Sequence, residues 1–372
     1  MEIIHIILGK ANPDRMNGVN KVVYQLATKQ VEFGKKISVW GIANDTENNY
    51  GNRNFDTKLF LKKRNPFAFS KELKKALLEK KGKAIFHIHG GWIPTFYAIG
   101  KLLHKNKIAY IFTPHGAYNV IVMERNFWVK RIYFQLFEKK FLSKATKIHC
   151  IGKSEIIGLQ NLYKNEKTIL VPYGFENNQE ISFRNSANKD IVFGFIGRLD
   201  IYTKGLDTLI KAFGKFIKQN PNAQLWIIGD SQEKAKLHAM LVAQNMQNNV
   251  VLFGGKFGKE KDDLMQQMDI FIHPSRNEGL PTSVIEAASY GKPCIVTDAT
   301  NIGDLIEQYQ AGEMILEQCH HKLEESMEKL AAIWKKQEDF TLVRHNAIKM
   351  VKENFNWTKI IQEFNTKLYS TS

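Results

Sequence analysis

Residues 269–297 read D-I-F-I-H-P-S-R-N-E-G-L-P-T-S-V-I-E-A-A-S-Y-G-K-P-C-I-V-T. Two short apolar runs, 270–272 and 294–296, bracket a polar loop and a segment of helical character. Each run is apolar at consecutive positions. Strands of that kind suit a sheet covered on both faces, in which parallel strands are joined by helices. The stretch is one βαβ unit, and a strand–loop–helix rhythm runs through the chain up to the unit's end at Thr297.

The helix within this unit is well signalled. Pro281 is expected at the first helical position, where a missing N–H costs nothing. Gly279 lets the backbone turn just before it, and Gly291 with Pro293 close the far end. Unpaired N–H groups and the positive dipole end then face outward from residues 279–283, at the carboxyl edge of a parallel sheet. That is a place for an anionic group. Glu278 borders the site, and Glu286 leans back toward it because helical side chains tilt toward the N-terminus. A carboxylate only accepts hydrogen bonds, so it suits hydroxyls and repels phosphate. The pattern asks for a ligand with phosphate in its middle and hydroxyl-rich groups at both ends, the layout of a nucleotide-diphosphate sugar.

The spacing E-x7-E, with Glu278 and Glu286 in E-G-L-P-T-S-V-I-E, resembles the signature of glycosyltransferase family 4, retaining enzymes of the GT-B fold. The resemblance implies an α/β chain of two Rossmann-like parallel-sheet domains facing across a cleft. Residues 1–178, joined by a last helix at about 356–372, would bind the acceptor; residues 188–355 would bind the nucleotide-sugar. In G-R-L-D-I-Y-T-K-G it puts Arg198 and Lys204 on the donor diphosphate, a rigid guanidinium fork and a point charge suited to a dianionic leaving group. Glu278 would accept from the sugar hydroxyls and shape an oxocarbenium-like transition state, and Glu286 from the ribose. Gly279, Leu280, Pro281 and Thr282 would cradle the phosphates, with Gly197 and Gly229 at neighbouring strand ends. His115, in T-P-H-G-A-Y, corresponds to the histidine beside the transferred sugar. The family usually carries a Gly-Gly pair before the first helix; here it is Asn17-Gly18, so one glycine of that phosphate approach is missing.

No D-x-D occurs in the chain, which argues against a metal-bound diphosphate and for fixed cations in its place. The resemblance implies that the leaving phosphate accepts the acceptor's proton on the same face of the sugar. No cofactor is expected. The donor would be a UDP-sugar, with a GDP-sugar next. His87 and His89 share a face of one strand, but the spacing offers no convincing third metal ligand.

Length and composition fit this reading. A chain of 372 residues is long for one domain and comfortable for two. Three cysteines, Cys150, Cys294 and Cys319, cannot all pair and fit a reducing cytosol. There is no apolar run of about eighteen residues, so no membrane-spanning helix is expected. The apolar start, 3–8, is too short for a signal peptide and reads as a first strand. Further strands are expected at 37–40, 84–88, 107–112, 146–151, 169–171, 191–196, 224–228 and 250–253. Helices are expected after Gly18, over 69–79 and 125–141, from a Ser154 cap, and over 320–370 with a break near Phe355 and Trp357. Residues 176–189 read as a linker.

Charge is lopsided. Residues 1–180 hold 30 Lys and Arg against 14 Asp and Glu, and the remainder 23 against 23, so the whole net charge of +16 lies in the first half. Such a field favours a polyanionic partner. Lys71, Lys74 and Lys75 line one helix, a cationic face for anionic lipid or a solvated one; Phe127, Trp128, Lys130, Arg131, Phe134 and Phe137 line another, a mixture suited to a membrane interface, although core packing accounts for the aromatics equally well. The expected acceptor is a lipid-linked or phosphorylated glycan at the inner leaflet of a bacterial membrane, as in lipopolysaccharide or capsule assembly, with the protein cytoplasmic or peripheral. Nucleic acid would also answer the charge, but no nucleic-acid module is present. A dinucleotide-dependent oxidoreductase needs G-x-G-x-x-G after the first strand, where the chain has L-G-K-A-N-P. A GT-B relative with a small soluble acceptor, a phosphorylase and an epimerase remain as alternatives.

Overall fold

The computed structural model describes residues 1–13, 18–119, 123, 126–176, 181, 190–316 and 318–370. The chain divides into two compact units, Met1–Gly174 with Trp357–Ser372, and Phe175–Asn356.

The first unit is built on seven parallel strands: β1 (Glu2–Leu8), β2 (Ile37–Ala43), β3 (Asp56–Leu61), β4 (Ala84–His89), β5 (Tyr110–Thr113), β6 (Lys147–Cys150) and β7 (Thr168–Leu170). Their order is β3-β2-β1-β4-β5-β6-β7. The second unit has six parallel strands: β8 (Val192–Ile196), β9 (Gln224–Ile228), β10 (Val250–Gly254), β11 (Ile270–His273), β12 (Cys294–Thr297) and β13 (Gly312–Ile315), in the order β10-β9-β8-β11-β12-β13. In each sheet the winding reverses once, between β1 and β4 and between β8 and β11. A doubly wound sheet opens a crevice at the carboxyl ends of such a pair.

The central strands are buried at nearly every position, as their unbroken apolar runs require: all six residues of β4 and all five of β8 are inside. Two strands escaped the sequence reading. β3, D-T-K-L-F-L, buries only Phe60, and β13, G-E-M-I, buries only Ile315. Both are edge strands, so neither carries a continuous apolar run.

Several helix boundaries differ from expectation. The helix after Glu278 runs Thr282–Ser289, and Pro281 precedes it in an extended conformation (φ −73°, ψ 106°). Pro281 is thus the cap and not the first helical residue. Gly291, at φ +67°, ends the segment as expected. Ser154 lies inside the helix Lys153–Leu162, whose cap is Gly152. The aromatic and basic helix is segmented into Phe127–Tyr133, a π-helical turn Phe134–Glu138 and Lys139–Lys144; Arg125 lies outside the described residues, as do Asn17 and most of the 176–189 stretch.

Lys71–Glu79 forms as expected, with Ser70 accepting from the Leu73 N–H at 3.1 Å and Leu73, Ala76 and Leu77 buried. Its lysines 71, 74 and 75 face solvent. The C-terminal segment packs into the first unit. A Cβ on Gly174 would lie 2.4 Å from the Trp357 ring, and Lys147 Nζ donates to the carbonyls of Lys367 (2.7 Å) and Ser370 (3.2 Å).

Candidate active site

In the second unit the crevice between β8 and β11 is lined by the turn 197–205 and the loop 274–281. Two features clamp these together. Gly205 adopts φ +66°, and a Cβ there would lie 1.9 Å from the Pro274 carbonyl, so only glycine allows this approach. Arg276 crosses from the loop to the turn. Its backbone N–H donates to the Thr203 carbonyl at 2.9 Å, and its guanidinium forks onto Asp207 at 2.7 and 2.9 Å while reaching the Tyr202 carbonyl at 2.6 Å. A bidentate pair of this kind fixes orientation as well as charge.

The clamp sets Lys204 against Glu278. Glu278 Oε1 accepts from the Lys204 ammonium, lies 2.8 Å from His273 Nε2 and accepts from Ser275 Oγ at 2.9 Å. The carboxylate and the ammonium are 13% and 17% exposed. Burial would raise the Glu278 pKa, but Lys204 and His273 outweigh it and hold the acid down at about 2. Burial lowers the basicity of His273, whose ring lies nearly parallel to those of Phe195 (5.4 Å between centroids) and Phe271 (6.1 Å). Asn301, left-handed at φ 60°, donates from Nδ2 to the carbonyls of Glu278 (2.9 Å) and Gly279 (2.7 Å), and so fixes the backbone leading into the helix.

The other anticipated residues lie nearby without joining this contact. Arg198 follows Gly197 at the end of β8; its side chain is 65% exposed and reaches Asp200 at 3.3 Å. Glu286 sits one turn inside the helix, paired with Lys261. Gly229 and Gly197 meet backbone to backbone: a Cβ on Gly229 would stand 1.8 Å from the Gly197 carbonyl. Leu280 and Thr282 flank Pro281 at the helix start, where the Thr282 and Ser283 N–H groups precede the first intrahelical donor, Val284, which gives its hydrogen to the Pro281 carbonyl at 3.1 Å.

His273, Ser275, Arg276, Asp207, Asn301 and Lys261 were not anticipated as site residues. Arg276 and Ser275 stand in the quoted P-S-R-N-E-G-L-P context, the one signal that could have found them.

In the first unit, the backbone at the end of β1 demands a glycine at Gly9. Gly9 has φ +111° and a Cβ there would touch Asn20 Oδ1 at 2.6 Å, whereas Gly18 opens the helix Gly18–Glu32 with nothing near a would-be Cβ. His115 follows β5 in a left-handed conformation, φ 56°, uncommon for a residue with a side chain. The next residue is pinned: Glu155 accepts from the Gly116 N–H and, at 3.1 Å, from the Ile151 N–H. Burial outweighs these bonds and raises the Glu155 pKa to about 7. His115 stacks on Tyr173 at 5.8 Å and its Nε2 lies 3.0 Å from His89 Nδ1. His5, missed as a neighbour, completes a buried cluster with His87 and His89 whose ring nitrogens lie within 4.8 Å of one another. Strand register explains it, since His5 pairs with His87 across β1 and β4.

Residues 16–178 match the family described as Glycosyltransferase Family 4, and residues 177–342 match Glycosyl transferases group 1. An uncharacterized glycosyltransferase of Methanocaldococcus jannaschii is 38% identical over 141 residues, 36% of this chain and 34% of that protein. A capsular polysaccharide biosynthesis glycosyltransferase of Staphylococcus aureus is 27% identical over 258 residues, 64% of this chain and 66% of that protein. The matches thus span from a third to just under two thirds of those relatives' own lengths. The Anabaena protein HepE, solved in complex with UDP and glucose, superposes with a TM-score of 0.76 at 16% identity, over 100% of both chains. That likeness is one of fold, and the fold is GT-B.

Proposed function

From a chain whose two halves match glycosyltransferase families, we propose a retaining, metal-independent glycosyltransferase. It moves a sugar from a nucleotide-diphosphate sugar to a hydroxyl of a lipid-linked or glycan acceptor in cell-surface polysaccharide synthesis. The observation that carries the reading is the Lys204–Glu278–His273 cluster, set beside a helix N-terminus at the point where the second sheet reverses. A single crevice there offers cations, helix N–H groups and carboxylates to one ligand.

In this mechanism Lys204, Arg198 and the backbone N–H groups at residues 280–283 stabilise the departing diphosphate. Preorganised donors of this kind are worth about 10²–10³ in rate each. Glu278, held ionised by Lys204, accepts from hydroxyls of the sugar as positive charge develops at its anomeric carbon. Glu286 accepts from the ribose. The leaving phosphate oxygen takes the proton of the attacking hydroxyl. The complex of HepE with UDP and glucose supports UDP-sugars as the first donors to try.

The acceptor side is the basic first unit. Trp128, Val129, Ile132 and Leu136 are exposed on the 127–144 helical segment beside Lys130, Arg131, Lys139 and Lys140, a surface suited to an anionic leaflet. Among the described residues no helix is long and apolar enough to cross a membrane. The partial match to a capsular polysaccharide biosynthesis glycosyltransferase supports this acceptor class.

The test is transfer from UDP-, GDP- and ADP-sugars to a lipid-linked acceptor in the presence of EDTA, with the anomeric configuration read by NMR. Retained product from one donor class is expected. Inverted product, or dependence on a divalent ion, contradicts the mechanism.

A further inference from the structure

His115 is the last link of a hydrogen-bonded chain that runs through the first unit. Its Nε2 lies 3.0 Å from His89 Nδ1, His89 Nε2 lies 2.9 Å from His5 Nδ1, and His5 Nε2 lies 2.7 Å from Gln30 Oε1. Gln30 Nε2 donates to Tyr369 Oη at 3.2 Å, which lies 2.7 Å from His87 Nδ1. His87 Nε2 meets Thr113 Oγ1 at 2.6 Å, Thr113 Oγ1 meets His149 Nδ1 at 2.8 Å, and His149 Nε2 meets the Val171 carbonyl at 2.7 Å. All of these side chains are buried except that of His115, which is partly exposed.

The last partner decides the direction of the whole chain. A carbonyl can only accept, so His149 Nε2 carries the hydrogen. A neutral imidazole has one donor and one acceptor, so His149 Nδ1 must accept, from the Thr113 hydroxyl. Thr113 Oγ1 then accepts from His87 Nε2–H, and His87 Nδ1 accepts from the Tyr369 hydroxyl. Tyr369 accepts from the Gln30 amide, whose oxygen accepts from His5 Nε2–H. His5 Nδ1 accepts from His89, and His89 Nδ1 accepts from His115. Every link donates toward Val171. Burial supports the neutral forms, with His5 and His149 held down to about 4 and His115 to about 3. The ring nitrogens that could otherwise hold a metal at His5, His87 and His89 are all used within the chain.

We propose that this one-way chain fixes His115 as the Nε2–H tautomer, with Nδ1 as an obligate hydrogen-bond acceptor at the partly exposed end. Nδ1 is not taken up by any other described residue. It selects for a ligand group that donates a hydrogen, a hydroxyl and not a phosphate or carboxylate oxygen. On the glycosyltransferase reading, which this last step rests on, that group is a sugar hydroxyl, and His5, His87, His89, His149, Thr113, Gln30 and Tyr369 are positioning residues. Reversing the chain requires turning over the Gln30 amide and every tautomer, and the Val171 carbonyl forbids it.

The test is long-range ¹H–¹⁵N correlation of the imidazoles in the full-length protein at pH 7, without substrate. His115 is expected to show a protonated Nε2 and an unprotonated Nδ1. Thr113→Val cuts the chain from its carbonyl anchor, and His115 should then populate both tautomers. Thr113→Ser keeps a hydroxyl and should restore the single tautomer. A wild-type His115 protonated on Nδ1, or doubly protonated, overturns the proposal, as does an unchanged single tautomer in a folded Thr113→Val protein. Because no sugar enters the measurement, failure of the glycosyltransferase reading would leave this result intact. Saturation by a nucleotide-sugar, compared with its analogues deoxygenated at single positions, then identifies the hydroxyl that His115 accepts from.

Discussion

Replacing Lys204 with methionine keeps most of the side-chain volume and removes the charge that Glu278 faces. The carboxyl group titrates at about 2 against an ordinary 4.5. That difference corresponds to ~3 kcal/mol of stabilisation of the ionised acid. His273 and Ser275 still donate in the variant, so the loss at pH 7 should be about 2–3 kcal/mol, near the lower end of what breaking a buried pair costs. The sign follows from the direction of the shift. A depressed acid contributes in full above its unfolded pKa of 4.5 and loses that contribution as pH falls toward about 2. Lys204→Met and wild type should therefore differ most at pH 5–7 and converge below pH 4.5 by up to ~1.4 kcal/mol per pH unit. Urea unfolding at pH 7, 5, 4 and 3, read by amide exchange on peptides of the second unit, separates it from the first. A difference under about 1 kcal/mol at pH 7, or one equally large at pH 3, would refute the assignment of Glu278 as an acid held ionised by Lys204.

Three further outcomes are expected. Gly205→Ala places a Cβ 1.9 Å from the Pro274 carbonyl at φ +66°, so the turn bearing Lys204 must move; a loss of stability above ~1 kcal/mol should accompany loss of transfer, both measurable on one preparation. Glu286→Ala should raise KM for the nucleotide-sugar about tenfold, the scale of a charged hydrogen bond, with a smaller change in kcat; an unchanged KM in steady-state assays argues against a ribose contact. Trp128→Ser with Ile132→Ser should reduce flotation with anionic liposomes at low salt, and equal recovery of wild type with neutral and anionic vesicles would count against membrane docking.

The sequence showed the architecture through its interior strands, because a strand buried on both faces must be apolar throughout. β1, β4, β8 and β11 were legible for that reason, and the edge strands β3 and β13 were not. The loop around Glu278 was legible because Pro281, Gly279 and Gly291 mark a helix chemically. What holds Lys204 against that loop was not, because Arg276, Asp207 and Gly205 act across about 70 residues of sequence and show no local pattern. The histidine chain was hidden for a related reason. His5 and His149 look like isolated polar residues in apolar runs, and His87 is matched only with His89 on its own strand, until the register of β1, β4, β5 and β6 places them side by side.

Calorimetric titration of wild type, Arg198→Ala and Lys204→Ala with UDP-sugars and GDP-sugars in EDTA asks whether fixed cations of the second unit hold a nucleotide-diphosphate sugar. Wild type is expected to bind one nucleotide class without metal, and each variant to bind it at least tenfold more weakly, the equivalent of about 1.4 kcal/mol or more. No binding to any nucleotide-sugar, or equal affinity in all three proteins, would overturn that reading.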